Sequence, residues 1–345
     1  MRIVLASSFV PHVNGGARFI VEWTEEMLRA HGHEVERFYL PFVDEPDDVL
    51  GQMAAYRLMD LSQSCDRLIA FRPPSHVLQH PNKVLWFIHH IRVFYDLWDQ
   101  GYGTGPQHPR QAASRRRLMS FDTAALREAR RVFTNSRVVS ERMERFNGVA
   151  SEPLYPPLWR PERFIHEDYG DEIVLVSRVE PHKRQMLAIE AMAHVRTPVR
   201  LRLCGKASSA AYAAEVRSRL RELGVEDRVI FEDAWISEDD KADRLANALA
   251  VAYLPIDEDS YGYPSLEAAH ARKAVLTTTD SGGVLELVDD RRNGLVLPPE
   301  PVALAAAFDE LWQDRRLARR LGEANGERVR ELRIDWDRVV EALTG

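Results

Sequence analysis

Arg178 and Lys183 stand five positions apart in the stretch SRVEPHKRQ, after an apolar run that reads as a strand and at the start of a helix. Two cations beside a helix N-terminus can hold a diphosphate, because the helix end also favours anions. The plainer alternative is two solvated surface cations. Further along, the run from Asp257 to Leu297 holds three successive acids, Asp257, Glu258 and Asp259, then Tyr261-Gly262-Tyr263, Pro264 and Glu267. Pro264 suits the first turn of a helix, and Glu267 is expected in that same turn. Seven residues separate Asp259 from Glu267. Such a pair can set one carboxylate on a loop and the other on the helix bordering it, where both accept hydrogen bonds from hydroxyl groups. Helix capping by the same acids is the competing explanation, and the Tyr-Gly-Tyr loop between them argues against capping alone.

Weaker signals surround these. Gly282 and Gly283 follow an apolar run and allow close backbone approach, with Glu286 just beyond. Gly15 and Gly16 occupy the corresponding place after the first apolar run, at another helix start. They do not form G-x-G-x-x-G, so the dinucleotide fingerprint is missing and a nicotinamide enzyme is disfavoured. His89 and His90 end a strand-like run, where a histidine is either a structural hydrogen-bonder or a cleft-facing functional group.

Positioning these residues requires strands with loops at their carboxyl ends. Short apolar runs recur at 2–7, 33–40, 68–72, 83–90 and 130–136, with helical spacing between the first two in Phe19, Ile20, Trp23, Met27 and Leu28. The Pro-rich, aromatic stretch at 153–171 reads as a linker. Alternation then restarts, with strands at 172–179, 199–206, 228–237, 250–256 and 274–280 and helices between them. The expected organisation is an N-terminal α/β domain over 1–160, a second over 161–330, and a terminal helix over 331–345 that could return to the first domain. In parallel sheets of this kind ligands bind beyond the carboxyl ends of the strands.

Composition narrows the class. With 345 residues, 45% hydrophobic and 29% charged, the chain is an ordinary globular one with room for two cores. A net charge of -7 disfavours a dedicated nucleic-acid binder. Cys65 and Cys204 are too few for a disulfide framework or a zinc cluster. No stretch approaches the length of a membrane span or a secretory signal, so a cytoplasmic location is expected. The basic stretch from Arg110 to Phe133 could meet the anionic inner face of a membrane or an acidic acceptor, although a solvated helix face explains it as well.

Five stretches in order, NGGAR, SRVEPHK, DSYGYPSLEA, SGGVLE and RNGLVL, resemble the motifs of glycosyltransferase family 4, and the resemblance runs over nearly the whole chain. It implies a GT-B fold: two Rossmann-like domains facing a deep interdomain cleft, the first binding acceptor and the second a nucleotide-sugar donor. It implies that Arg178 and Lys183 neutralise the donor diphosphate, Glu267 holds the ribose, and Asp259 contacts the transferred sugar. Tyr261 and Gly262 would line the donor, and backbone amides around Gly15, Gly16, Gly282 and Gly283 would border phosphate and sugar. Trp235, in the loop 234–236, would border the base. One of His89 and His90 would sit near the anomeric centre, with His90 named first. Asp259 departs from the family's usual Glu by one methylene, with Glu258 adjacent but out of register.

The activity so implied is retaining transfer of a hexose, in bacterial polysaccharide or glycoconjugate synthesis, to a glycan, lipid-linked or small-molecule acceptor. GDP-mannose is the first expectation for the donor and a UDP-sugar the second. No metal is expected, since two cations already serve the diphosphate. The alternatives are a nucleotide-sugar epimerase or hydrolase of the same fold, and a non-catalytic sugar-nucleotide binder.

Overall fold

The computed structural model describes residues 1–9, 16–43, 45, 47–99 and 109–345. The chain divides into two compact units, one of Met1–Pro157 with Asp335–Gly345 and the other of Leu158–Ile334. The first begins with β1 (Arg2–Phe9), α1 (Gly16–Ala30), β2 (Glu34–Pro41), α2 (Val49–Arg57), β3 (Arg67–Ala70) and β4 (Lys83–Phe87). It continues through α3 (Pro109–Arg127), β5 (Arg131–Thr134), α4 (Arg137–Asn147) and the short β6 (Glu152–Pro153). Its six strands are parallel, in the order β2-β1-β3-β4-β5-β6. β3 and β4 are buried along their whole length, which is why their sequences run apolar without alternation.

The second unit comprises β7 (Glu172–Val176), α5 (Gln185–Met192), β8 (Arg200–Cys204), α6 (Ala210–Leu223), β9 (Val229–Glu232), α7 (Glu238–Ala246), β10 (Ala250–Ala252) and α8 (Tyr263–His270). β11 (Val275–Thr278), β12 (Gly294–Leu297), α9 (Pro301–Gln313) and α10 (Arg315–Glu331) complete it. Its sheet is also parallel, in the order β12-β11-β10-β7-β8-β9. The chain proceeds from β7 to β8 on one side and later returns to β10 on the other. The carboxyl ends of β7 and β10 therefore flank the topological switch point, the place where an open α/β sheet leaves a crevice for ligand. The core beneath is continuous, with Ile173, Leu175, Leu201, Leu203, Ala250, Ala252 and Leu276 from the strands meeting Ile189, Val216 and Phe308 from the helices.

The last helix, α11 (Trp336–Thr344), packs Val339, Val340 and Leu343 into the core of the first unit beside Ile3, Leu5 and Leu28. Its N-cap is Asp335, whose side chain accepts from the Arg338 amide. RNGLVL supplies a turn over 291–293 and then edge strand β12: Gly294 lies so close to β11 that an added Cβ would fall 2.3 Å from the Val275 carbonyl oxygen. The glycine permits close strand pairing. Gly283–Glu286 close a single 3-10 turn between β11 and β12.

Candidate donor-binding site

The loop after β7 carries Ser177 to Arg184 and ends in a 3-10 turn, Pro181–Lys183. Arg184 then adopts a left-handed backbone, φ 55°, and opens α5. Lys183 is mostly buried, and its ammonium contacts the Glu258 carboxylate and lies 3.1 Å from the Tyr253 hydroxyl. Tyr253 sits just after β10, is 4% exposed, and also hydrogen-bonds Glu258 Oε2 at 3.1 Å. Burial opposes the Glu258 charge, but the Lys183 ammonium and the Tyr253 hydroxyl hold its carboxyl below the ordinary range. Burial, with Glu258 and Glu267 nearby, raises the Tyr253 phenol well above its ordinary value, and Arg178 works against that rise. Arg178, Lys183, Glu258 and Glu267 thus all act on one buried phenol.

Arg178 itself is exposed, with Nη1 2.5 Å from Glu180 Oε1. Glu180 also faces His182 Nδ1 at 3.3 Å. Arg184 reaches the next loop, donating from Nη1 to Asp280 Oδ1 at 2.8 Å and to Thr278 Oγ1 at 3.0 Å, while Nη2 contacts Asp280 Oδ2. This bidentate pair holds the Asp280 carboxyl below its ordinary pKa.

Backbone bonds stitch the loop after β10 to the loop after β11. The Asp257 amide donates to the Asp280 carbonyl at 2.9 Å, Glu258 to Ser281 at 3.3 Å, and Gly283 back to Glu258 at 2.8 Å. Both glycines of the turn are sterically required. Gly282 has φ 63°, and an added Cβ would lie 2.6 Å from the Glu258 carbonyl oxygen; one on Gly283 would lie 2.6 Å from Ser260 Cα. Gly262 caps α8 at φ 69° and leaves room for the Tyr253 ring, since a Cβ would meet Tyr253 Cε1 at 2.3 Å. Tyr261 is buried and Asp259 half-buried in this loop.

Glu267 lies deeper in α8 than expected. The helix begins at Tyr263 with Pro264 second, so Glu267 falls in the second turn and does not cap it. It is 4% exposed and receives Lys241 Nζ of α7 on Oε1 at 2.6 Å. Burial pushes the Glu267 carboxyl up, and Lys241 pulls it back. Burial disfavours the Lys241 charge, but Glu267 and Glu238 outweigh it and raise the ammonium's pKa.

The second unit therefore gathers Lys183, Arg178, Asp259, Tyr261, Gly262, Glu267, Gly282 and Gly283 on the carboxyl-end loops of one sheet and the helix α8 that follows. Trp235, in the loop after β9, is 66% exposed. The remaining sequence candidates belong to the first unit. Gly16 is exposed at the start of α1, and Gly15 lies outside the described residues. His90 is 2% exposed, its Nε2 3.0 Å from Asn147 Oδ1 and its ring against Phe87, Tyr95 and Phe146. Burial lowers its pKa to about 4. His89 is the one of the two with solvent access, because the strand-end backbone turns His90 into the aromatic core.

Sequence reasoning missed Tyr253, Lys241 and the Arg184–Asp280 pair, and set Glu258 aside. Lys241 left a trace: it shares the buried face of α7 with Ala242 and Leu245, where a charge needs a partner. Among the described residues, no cluster of three or more His, Cys, Asp or Glu could hold a metal ion, and no helix is long and apolar enough to cross a membrane.

Residues 161–328, which lie within the second unit, match the family described as Glycosyl transferases group 1. The α-1,3/1,6-mannosyltransferase ALG2 of Dictyostelium discoideum is 32% identical over 117 residues, 34% of this chain and 27% of that protein. The chain thus spans about a quarter of the length of this curated relative. Anabaena HepE, solved in complex with UDP, superposes with a TM-score of 0.73 at 18% identity, covering all of this chain and 98% of that one. Sucrose-phosphate synthase from Thermosynechococcus elongatus gives 0.74 at 18% identity over 99% and 97% of the two chains. The fold is GT-B.

Proposed function

We propose that this GT-B protein, with its group 1 glycosyltransferase domain, is a retaining hexosyltransferase of family 4 that uses a nucleotide-diphosphate sugar. The observation carrying the reading is the convergence of Lys183, Arg178 and Glu267 around Tyr253, beside a turn whose Gly282 and Gly283 have no room for a side chain. A diphosphate needs cations; a ribose needs a fixed carboxylate. In this reading Lys183 and Arg178 stabilise the charge that builds on the leaving diphosphate, Glu267 accepts from the ribose hydroxyls, and Asp259 contacts the transferred sugar. Trp235 flanks the base.

Lys183 and Arg178 take the place that a divalent cation fills in other diphosphate chemistry. The breaking glycosidic bond gives an oxocarbenium-like centre, which the acceptor attacks from the leaving-group side. The first unit is assigned the acceptor, whether glycan, lipid-linked or small molecule. Two similarities bear on the donor: the mannosyltransferase relative favours GDP-mannose, and the UDP complex of HepE favours a UDP-sugar. Bacterial polysaccharide or glycoconjugate synthesis is the setting we assign.

Thermal melting with UDP, GDP and ADP tests the binding half, since a ligand of the native state raises its melting temperature. Lys183→Ala is expected to keep the fold and lose at least about 10²–10³-fold in kcat, the range for removing one group that stabilises transition-state charge. Near-normal turnover by that variant would refute the assigned role.

A further inference from the structure

Glu267 is a demanding residue to place. A carboxylate that is 4% exposed is costly, and an unpaired one takes up a proton instead. Once protonated, it turns one acceptor oxygen into an O–H donor and becomes a weaker, uncharged acceptor for neighbouring hydroxyls. Among the described residues, the donor that reaches its side chain is Lys241, at 2.6 Å on Oε1. Lys241 comes from a different helix, is itself 9% exposed, and is braced by Glu238 Oε1 at 2.9 Å and by the Phe164 ring 5.7 Å away. The Lys241–Glu267 contact therefore favours the charged form of Glu267 against its burial and orients its carboxylate.

We infer that Lys241 is the positioning residue that presents Glu267 to the ribose: it occupies Oε1 and leaves the rest of the carboxylate to accept the ligand's hydroxyls. The inference rests on the donor-site reading given above. Lys241 touches no reacting atom in this scheme, and its contribution is confined to recognition of the sugar of the nucleotide. A lysine whose purpose was only to join α7 to α8 would affect stability, without regard to whether the ligand carries hydroxyls.

The test is a ratio. Binding is measured calorimetrically for whichever of UDP, GDP and ADP the native protein holds most tightly, and for its 2′,3′-dideoxy analogue. Native protein is expected to prefer the ribose form by about tenfold or more, the usual worth of hydrogen bonds to a charged acceptor. Lys241→Met should bring the ratio close to one while the dideoxy affinity stays unchanged, and Lys241→Arg should restore most of it. If Lys241→Met does not fold, Lys241→Gln, which keeps a donor without the charge, should lower the ratio in the same way. An undiminished ratio in either folded variant overturns the inference. Glu267→Gln separates the two levels. If it abolishes the preference while Lys241→Met does not, only the role of Lys241 falls. If Glu267→Gln keeps the preference, or native protein binds no nucleoside diphosphate, the underlying reading of the site falls too.

Discussion

Glu258 is the residue whose environment says most about the candidate site. It stands against Lys183 and Tyr253, and stays ionised despite burial because both donate to it. In the proposed reading, a diphosphate arriving at Lys183 meets a cation already paired with an acid. Replacing Glu258 by Gln removes the competing charge and keeps the shape. The expected outcome is about five- to tenfold tighter binding of a nucleoside diphosphate at low ionic strength, read by titration calorimetry. Weaker binding would mean that Glu258 aims Lys183 at its ligand. His90 makes a second prediction. Its folded pKa is about 4, below the ordinary 6.5 of an unfolded chain. Between those values the unfolded state binds the extra proton, so stability falls as pH drops from about 6.5 to 4. His90→Gln should flatten the slope of unfolding free energy with pH in this window by up to about 1.4 kcal/mol per pH unit, measured by urea titration at several pH values.

Three loops after neighbouring strands form the element that matters most. Gly282 and Gly283 lie so close to Glu258 and Ser260 that a methyl group cannot enter without moving backbone. Gly283→Ala is expected to cost about 1–3 kcal/mol of stability by overpacking and to weaken nucleotide binding, both checked by denaturation with and without ligand. Most of this element was legible beforehand. The alternation of apolar runs located the strands that frame it, since buried parallel strands read as continuous apolar stretches. The spacing of Arg178 and Lys183, and of Asp259 and Glu267, marked the loops. Side-chain direction was not legible. Nothing local in FIHH says which imidazole turns inward, because packing against Tyr95 and Phe146 decides it. Nor does any sequence neighbour of Glu267 reveal a lysine 26 positions earlier on another helix. Glu258 was set aside on motif register, whereas the fold uses it through its contact with Lys183.

The chain folds into two compact units, with its last segment assigned to the first. α11 places Val339, Val340 and Leu343 in one of that unit's core clusters, with Ile3, Leu5 and Leu28. Ending the chain at Ile334 removes three buried side chains, each worth about 1.5–3 kcal/mol. The first unit is expected to melt earlier while the second holds its transition, followed by calorimetry. The same measurement with a nucleoside diphosphate at about 100 times its Kd should raise the transition of the second unit by about 2.7 kcal/mol of stabilisation and leave that of the first in place.

In the second unit the cations near the switch point each already have an acid: Arg178 with Glu180, Lys183 with Glu258, Arg184 with Asp280 and Lys241 with Glu267. Free orthophosphate or sulfate offers negative charge and little else, and dislodging a tethered carboxylate returns it scarcely any net gain. In the proposed reading, a molecule that brings a base, a pentose and a sugar along with its phosphates compensates for the exchange. A site whose cations are paired in this way discriminates against small inorganic anions.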